Sequence, residues 1–208
     1  MLIANNISIQ FGEKKIFKNL DLSVRPKKII QIRGRNGVGK TTLIKILANI
    51  MIPTTGEIFW NGKNIHKKNS IEYFKDLALV METNTSKNDL TVYENIKFWK
   101  TLFNSSIQNT EIDSLLEMLN LQNNKKTFVK YLSYGEKRKL EISRLVIEKK
   151  KIWIFDEPYL GLDDATINIF NETLKNHIKT EGMVIFSSHY QLEVQGVDTI
   201  DLENYANN

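Results

Sequence analysis

The chain has 208 residues, 41% of them hydrophobic, with 29 basic against 24 acidic residues for a formal net charge of +5, and no cysteine. That length builds one well-cored domain or a domain with a small insert, and the composition is too apolar for wholesale disorder. Lack of cysteine excludes disulfides and thiolate chemistry, no run of about 18 apolar residues is present to span a bilayer, and the scattered lysines have no aromatic strand pair beside them to form a nucleic-acid platform.

The opening residues MLIANNISIQFGEKK carry no basic start, apolar run and small-residue cleavage site of the signal-peptide kind, so work at a membrane would need a partner to hold the chain there. Residues 1–25 alternate as IANNISIQF and IFKNLDLSV around GEKK, which predicts two antiparallel strands joined by a turn. KKIIQIR at 27–33 reads as a buried strand, followed by GRNGVGKTT and a periodic helix in TLIKILANIM. GEIFWNGKNI at 56–65 predicts a hairpin turning at Asn61-Gly62. LALVM at 77–81 is a core strand, and residues 84–150 are mostly helical. Two capping boxes mark helix starts there, Thr91 with Glu94 and Ser133 with Glu136. KIWIF at 151–155 and MVIFSS at 183–188 are further strands around a helix over 164–179, and the polar tail from 195 is expected to fray. The alternation predicts a mostly parallel α/β sheet with helices on both faces, a small antiparallel sheet, and a helical subdomain at 84–150 inserted into a single domain over 1–208.

GRNGVGKT, Gly34 to Thr41, fits G-x-x-x-x-G-K-[ST] between a predicted strand and a predicted helix. Gly34, Gly37 and Gly39 let the backbone wrap with its N–H groups inward, and the helix start adds positive potential. Lys40 is placed to reach the β- and γ-phosphates of ATP, and Thr41 to bind Mg²⁺ through its hydroxyl. Asn36 and Thr42 complete the nucleotide-binding set. KIWIFDEP, Lys151 to Pro158, ends a hydrophobic strand in two acids. Asp156 is placed to hold Mg²⁺ and Glu157 to polarise an attacking water, as in-line phosphoryl transfer requires.

LSYGEKRKLEISRLV at 132–146 resembles the signature segment of ABC-type ATPases, whose usual core is LSGGQ. Leu132, Ser133 and Gly135 match it, while Tyr134 replaces a glycine and Glu136 the glutamine. The resemblance implies that Ser133 and Gly135 contact ATP bound by a second copy, so that ATP is sandwiched between Lys40 of one copy and Ser133 of the other. It also implies that LGLDD at 160–164 is the loop crossing that interface, that His189 contacts the γ-phosphate, that Phe11 stacks on adenine, and that Glu82 stands where the family's coupling loop carries a glutamine metal ligand. His66 and His177 have no such context and read as surface residues. The branch most resembled is the ATP-binding subunit of the cytochrome c maturation (haem exporter) systems, on IFKNLDLSV, on Trp60 in GEIFW and on Trp99 in DLTVYENIKFW. A member would be an Mg-ATP-dependent ATPase, peripheral on the cytoplasmic face of a bacterial inner membrane or the mitochondrial matrix face, paired with membrane-spanning permease subunits and with no nucleic acid. Two other readings stay open at this point, a small export ATPase for another cargo and a nucleotide-gated scaffold with little hydrolysis.

Overall fold

The computed structural model describes residues 1–66, 70–81, 83–188 and 196–206. They divide into two compact units, one of Met1–Met81, Lys151–Pro158 and Asn176–Asn208, the other of Glu82–Lys150 and Tyr159–Lys175.

In the first unit, β1 (Leu2–Phe11) and β2 (Lys14–Val24) form the expected antiparallel pair. After β3 (Ile29–Arg33) and α1 (Lys40–Leu47), β4 (Thr55–Trp60) pairs with β1 on one side and with β5 (Lys63–Asn64) on the other. The β4–β5 turn falls on Asn61 and Gly62, with φ of 49° and 80°, the double positive φ that an Asn-Gly hairpin supplies. The helix α2 (Ser70–Asp76) leads into β6 (Leu77–Val80). With β7 (Ile152–Asp156), β8 (Met183–Ser187) and β9 (Val197–Asp201), the core sheet runs β6-β7-β8-β3-β9, every neighbouring pair parallel. All five residues of β7 and of β8 are buried, which is why those strands read as continuous apolar runs instead of alternating ones.

Residues 196–206 of the tail are folded, against expectation. β9 pairs with β3 over its whole length, Leu202 is fully buried, and Ala206 bridges to Phe17. As an edge strand, β9 leaves Asp198, Thr199 and Asp201 exposed, and that polarity disguised it in the sequence. Trp60 and Trp99 are both buried, and the Trp60 indole donates to the Asp76 carboxylate at 3.0 Å.

His177 also departs from expectation. Its ring stacks on Trp153 at 3.7 Å between centroids and 5° between planes, and a Cβ at Gly182 would strike it. Burial pushes its pKa down from 6.5 to about 4. Above pH 6.5 the ring is neutral in both folded and unfolded chains; as pH falls toward 4 the unfolded chain takes a proton that the folded one refuses, so stability is lost across that window. With solvent screening, the loss is about 1–3 kcal/mol. Thermal melts between pH 7 and pH 4 should show it, and His177→Phe should flatten that slope while keeping the stack.

The second unit is helical: α3 (Val92–Leu102), α4 (Asn109–Met118), α5 (Tyr134–Glu148) and the greater part of α6 (Asp164–Lys179). Both predicted capping boxes form, Thr91–Glu94 at α3 and Ser133–Glu136 at α5. Val92, Ile96, Trp99, Leu140 and Leu145 are buried at helical spacing. No helix among the described residues is long and apolar enough to cross a membrane.

Candidate active site

The loop between β3 and α1 wraps as its glycines permit, with φ of 142°, 81° and 112° at Gly34, Gly37 and Gly39. Gly39 is needed for more than its φ, because a Cβ there would lie 2.5 Å from Ile16 and 3.3 Å from Phe17. The same residue precedes α1, and no side chain caps that helix, unlike α3 and α5. The first-turn N–H groups of α1 therefore have no side-chain acceptor, and a Cβ at Gly37 would meet only open space. Uncapped donors beside an open cradle fit a phosphate group.

Lys40 folds over this loop. It is 7% exposed, and its ammonium donates to the Gly34 carbonyl at 2.8 Å and the Arg35 carbonyl at 3.4 Å. Glu157 lies 3.7 Å from it across the site. At the carboxyl end of β7, Asp156 is buried and accepts a hydrogen bond from the Ser187 hydroxyl at 2.6 Å. The Ser187 oxygen in turn accepts from the Glu157 N–H at 3.0 Å. Glu157 is held at φ 47°, a left-handed conformation that costs a side-chain-bearing residue free energy. Ser187, at the end of β8, thus holds the Asp156 carboxylate and the Glu157 backbone through one hydroxyl. The hydroxyl of Thr41, at the start of α1, and the Asp156 carboxylate are hard oxygen donors of the kind Mg²⁺ takes, with few protein ligands and the rest left to phosphate and water. Phe11, at the end of β1, is 50% exposed and so is no core aromatic. Asn36 lies exposed in the loop and Thr42 half-buried on α1. Glu82 and His189 lie outside the described residues.

Nothing local to Glu203 marks it as part of the site. Its carboxylate accepts from the Arg35 N–H at 2.8 Å and so ties the segment after β9 to the phosphate loop.

In the second unit, Ser133 caps α5: its hydroxyl oxygen accepts from the Glu136 N–H at 3.2 Å, and Glu136 accepts from the Ser133 N–H at 2.8 Å. Glu136 also accepts from Asn124 at 3.0 Å. The Ser133 backbone N–H, chiefly, holds the Glu136 carboxyl below its ordinary pKa. The departure from glutamine therefore places a charge that is engaged in the helix cap. Ser133→Ala should cost about 1 kcal/mol, read as a lower denaturant midpoint. A Cβ at Gly135 would stand 2.9 Å from the Gly161 carbonyl, and the Tyr134 ring fills the space beside Gly161 that a side chain there would need. Lys139 pairs with Asp163 at 3.4 Å, and Asp163 accepts from the Thr166 N–H at 2.7 Å in the first turn of α6. Residues 160–164 are thereby fitted closely to the start of α5.

A phosphate loop facing paired acids at a strand end is the arrangement of a P-loop ATPase. The ABC transporter family profile matches residues 17–160, and the chain belongs to that family as an ATP-hydrolysing subunit of the kind that pairs with membrane permeases. It is 33% identical over 194 residues to the cytochrome c biogenesis ATP-binding export protein CcmA of Dechloromonas aromatica, covering 93% of this chain and 95% of that one. The protein of the same name from Haemophilus ducreyi is 30% identical over 204 residues, covering 98% and 97%. In fold, the chain matches an ABC transporter ATP-binding protein from Pyrococcus furiosus with a TM-score of 0.85, over 99% of both chains at 23% identity.

Proposed function

We propose that this chain is the ATPase of a membrane complex serving cytochrome c biogenesis, working as a pair of copies on the cytoplasmic face of the inner membrane. Near-full-length similarity to export proteins of that name carries the reading. Each copy would bind ATP on its phosphate loop, with Phe11 against the adenine and Gly34, Asn36, Gly37, Gly39, Lys40, Thr41 and Thr42 around the phosphates. The helical segment 84–150 of the second copy would present Ser133 and Gly135 to the γ-phosphate.

Thr41 and Asp156 would hold Mg²⁺, with Glu82 as a further candidate ligand. The ion supplies charge neutralisation at the phosphates when bound. Lys40 stabilises negative charge at the transferring group, Glu157 orients the attacking water and takes its proton, and His189 is assigned to the γ-phosphate. Water attacks the γ-phosphorus, its bond to the bridging oxygen breaks, and ADP leaves with that electron pair. Ser187 would keep the Asp156 carboxylate and the Glu157 backbone in place, since one hydroxyl meets both.

Cells lacking this chain should lose covalently attached haem from their c-type cytochromes, seen by haem staining of membrane proteins. The wild-type chain should restore it and Lys40→Ala should not. Normal c-type cytochromes in the deletion strain would reject this cargo and favour another export role.

A further inference from the structure

A buried acid on α5 takes no part in binding or hydrolysing ATP. Glu141 is 1% exposed, just over two helical turns beyond Ser133. One of its oxygens accepts from the backbone N–H groups of both Thr85 and Ser86, each at 2.7 Å. The other accepts from the Thr85 hydroxyl at 2.8 Å and lies 3.8 Å from Arg144, which pairs with Glu148 at 3.2 Å. The later part of the same loop is fastened separately, by Asn95 to Lys87 and Leu90.

A helix needs no acid here for its own sake. A buried carboxylate is costly unless its lone pairs are filled, and three of the donors that fill them come from the loop leaving β6. If the loop moved away from α5, a buried charge would lose its partners; if α5 moved alone, the same would follow. The two must therefore shift together, the behaviour of a mechanical link rather than of a passive contact.

We infer that Glu141 is a positioning residue that makes the loop at 83–86 and the signature helix α5 move as one, so that a nucleotide-dependent shift at Ser133 and Gly135 is delivered to that loop. This rests on the reading above in which Ser133 meets ATP on a second copy.

Amide hydrogen exchange tests it. In a Glu157→Gln background with Mg-ATP, exchange should slow both at residues 134–137 and at residues 85–86. Adding Glu141→Gln keeps the side-chain volume but turns an amide NH₂ or a lone oxygen toward the two N–H donors. Protection of Thr85 and Ser86 should then fall at least about 10-fold, and the ATP response at 85–86 should vanish while that at 134–137 stays. Thr85→Val, which removes only the hydroxyl contact, should give a smaller loss of the same kind. A purely structural role predicts a lower Tm with the ATP response at 85–86 intact, and that result overturns the proposal. So does an ATP response at 134–137 that never reaches 85–86 when Glu141 is present. No response at 134–137 at all would instead bring down the two-copy reading, and this inference with it.

Discussion

Replacing Lys40 with alanine should abolish hydrolysis and weaken ATP binding by about 100- to 1,000-fold, the equivalent of about 3–4 kcal/mol, for losing one partner of a largely buried charge pair. The lysine has two tasks. Before nucleotide arrives, its ammonium holds the carbonyls of Gly34 and Arg35 and faces Glu157, so it shapes the loop. With ATP present, the same ammonium is proposed to reach the β- and γ-phosphates. Removing it leaves Glu157 without its cation and the triphosphate without its counter-charge. Lys40→Arg should not rescue the loss, since a planar guanidinium has no room where a compact ammonium sits at 7% exposure. Binding of a fluorescent ATP analogue and phosphate release, measured on both variants, check this. Retention of near-normal turnover in Lys40→Ala would show that the loop is not the catalytic phosphate site.

Glu157→Gln should behave differently. Turnover should fall by about 100- to 10,000-fold, the usual range for a lost general base, while ATP affinity should hold or rise. The amide keeps the size of the acid and the same backbone, so the left-handed turn at φ 47° and the N–H bond to Ser187 are expected to persist. What is lost is the capacity to accept the proton of an attacking water. Removing the negative charge 3.7 Å from Lys40 also frees that ammonium for phosphate. The split between kcat and KM is therefore the diagnostic: kcat collapses while KM does not rise. A matched rise in KM would mean that Glu157 acts in binding.

Those two residues were legible in the sequence because their signals are local. A strand, a glycine loop and a helix run consecutively through residues 29–47, and the acids end an unbroken apolar strand. The capping boxes at Thr91 and Ser133 were legible for the same reason, since each is complete within four residues. What the sequence hid depends on distant partners. β9 is polar and gains its place only by pairing with β3, far earlier in the chain. Glu203 reaches Arg35, and His177 finds Trp153 only once β7 and the end of α6 have folded. The role of Ser187 was also hidden, because a serine at a strand end gives no sign that its hydroxyl will hold the Asp156 carboxylate and the Glu157 backbone. For Glu136, the bond to the Ser133 N–H was legible as half of a capping box, and only its further bond from Asn124 was hidden.

Two copies of this chain are proposed to sandwich ATP and then hydrolyse it. Analytical ultracentrifugation of Glu157→Gln with Mg-ATP, with bound nucleotide counted, addresses this most directly. A dimer carrying two ATP molecules, which falls apart when Ser133 is also changed to alanine or when ADP replaces ATP, is the predicted result. A protein that stays monomeric with one ATP bound at saturating nucleotide, while the wild type still turns over, would contradict it.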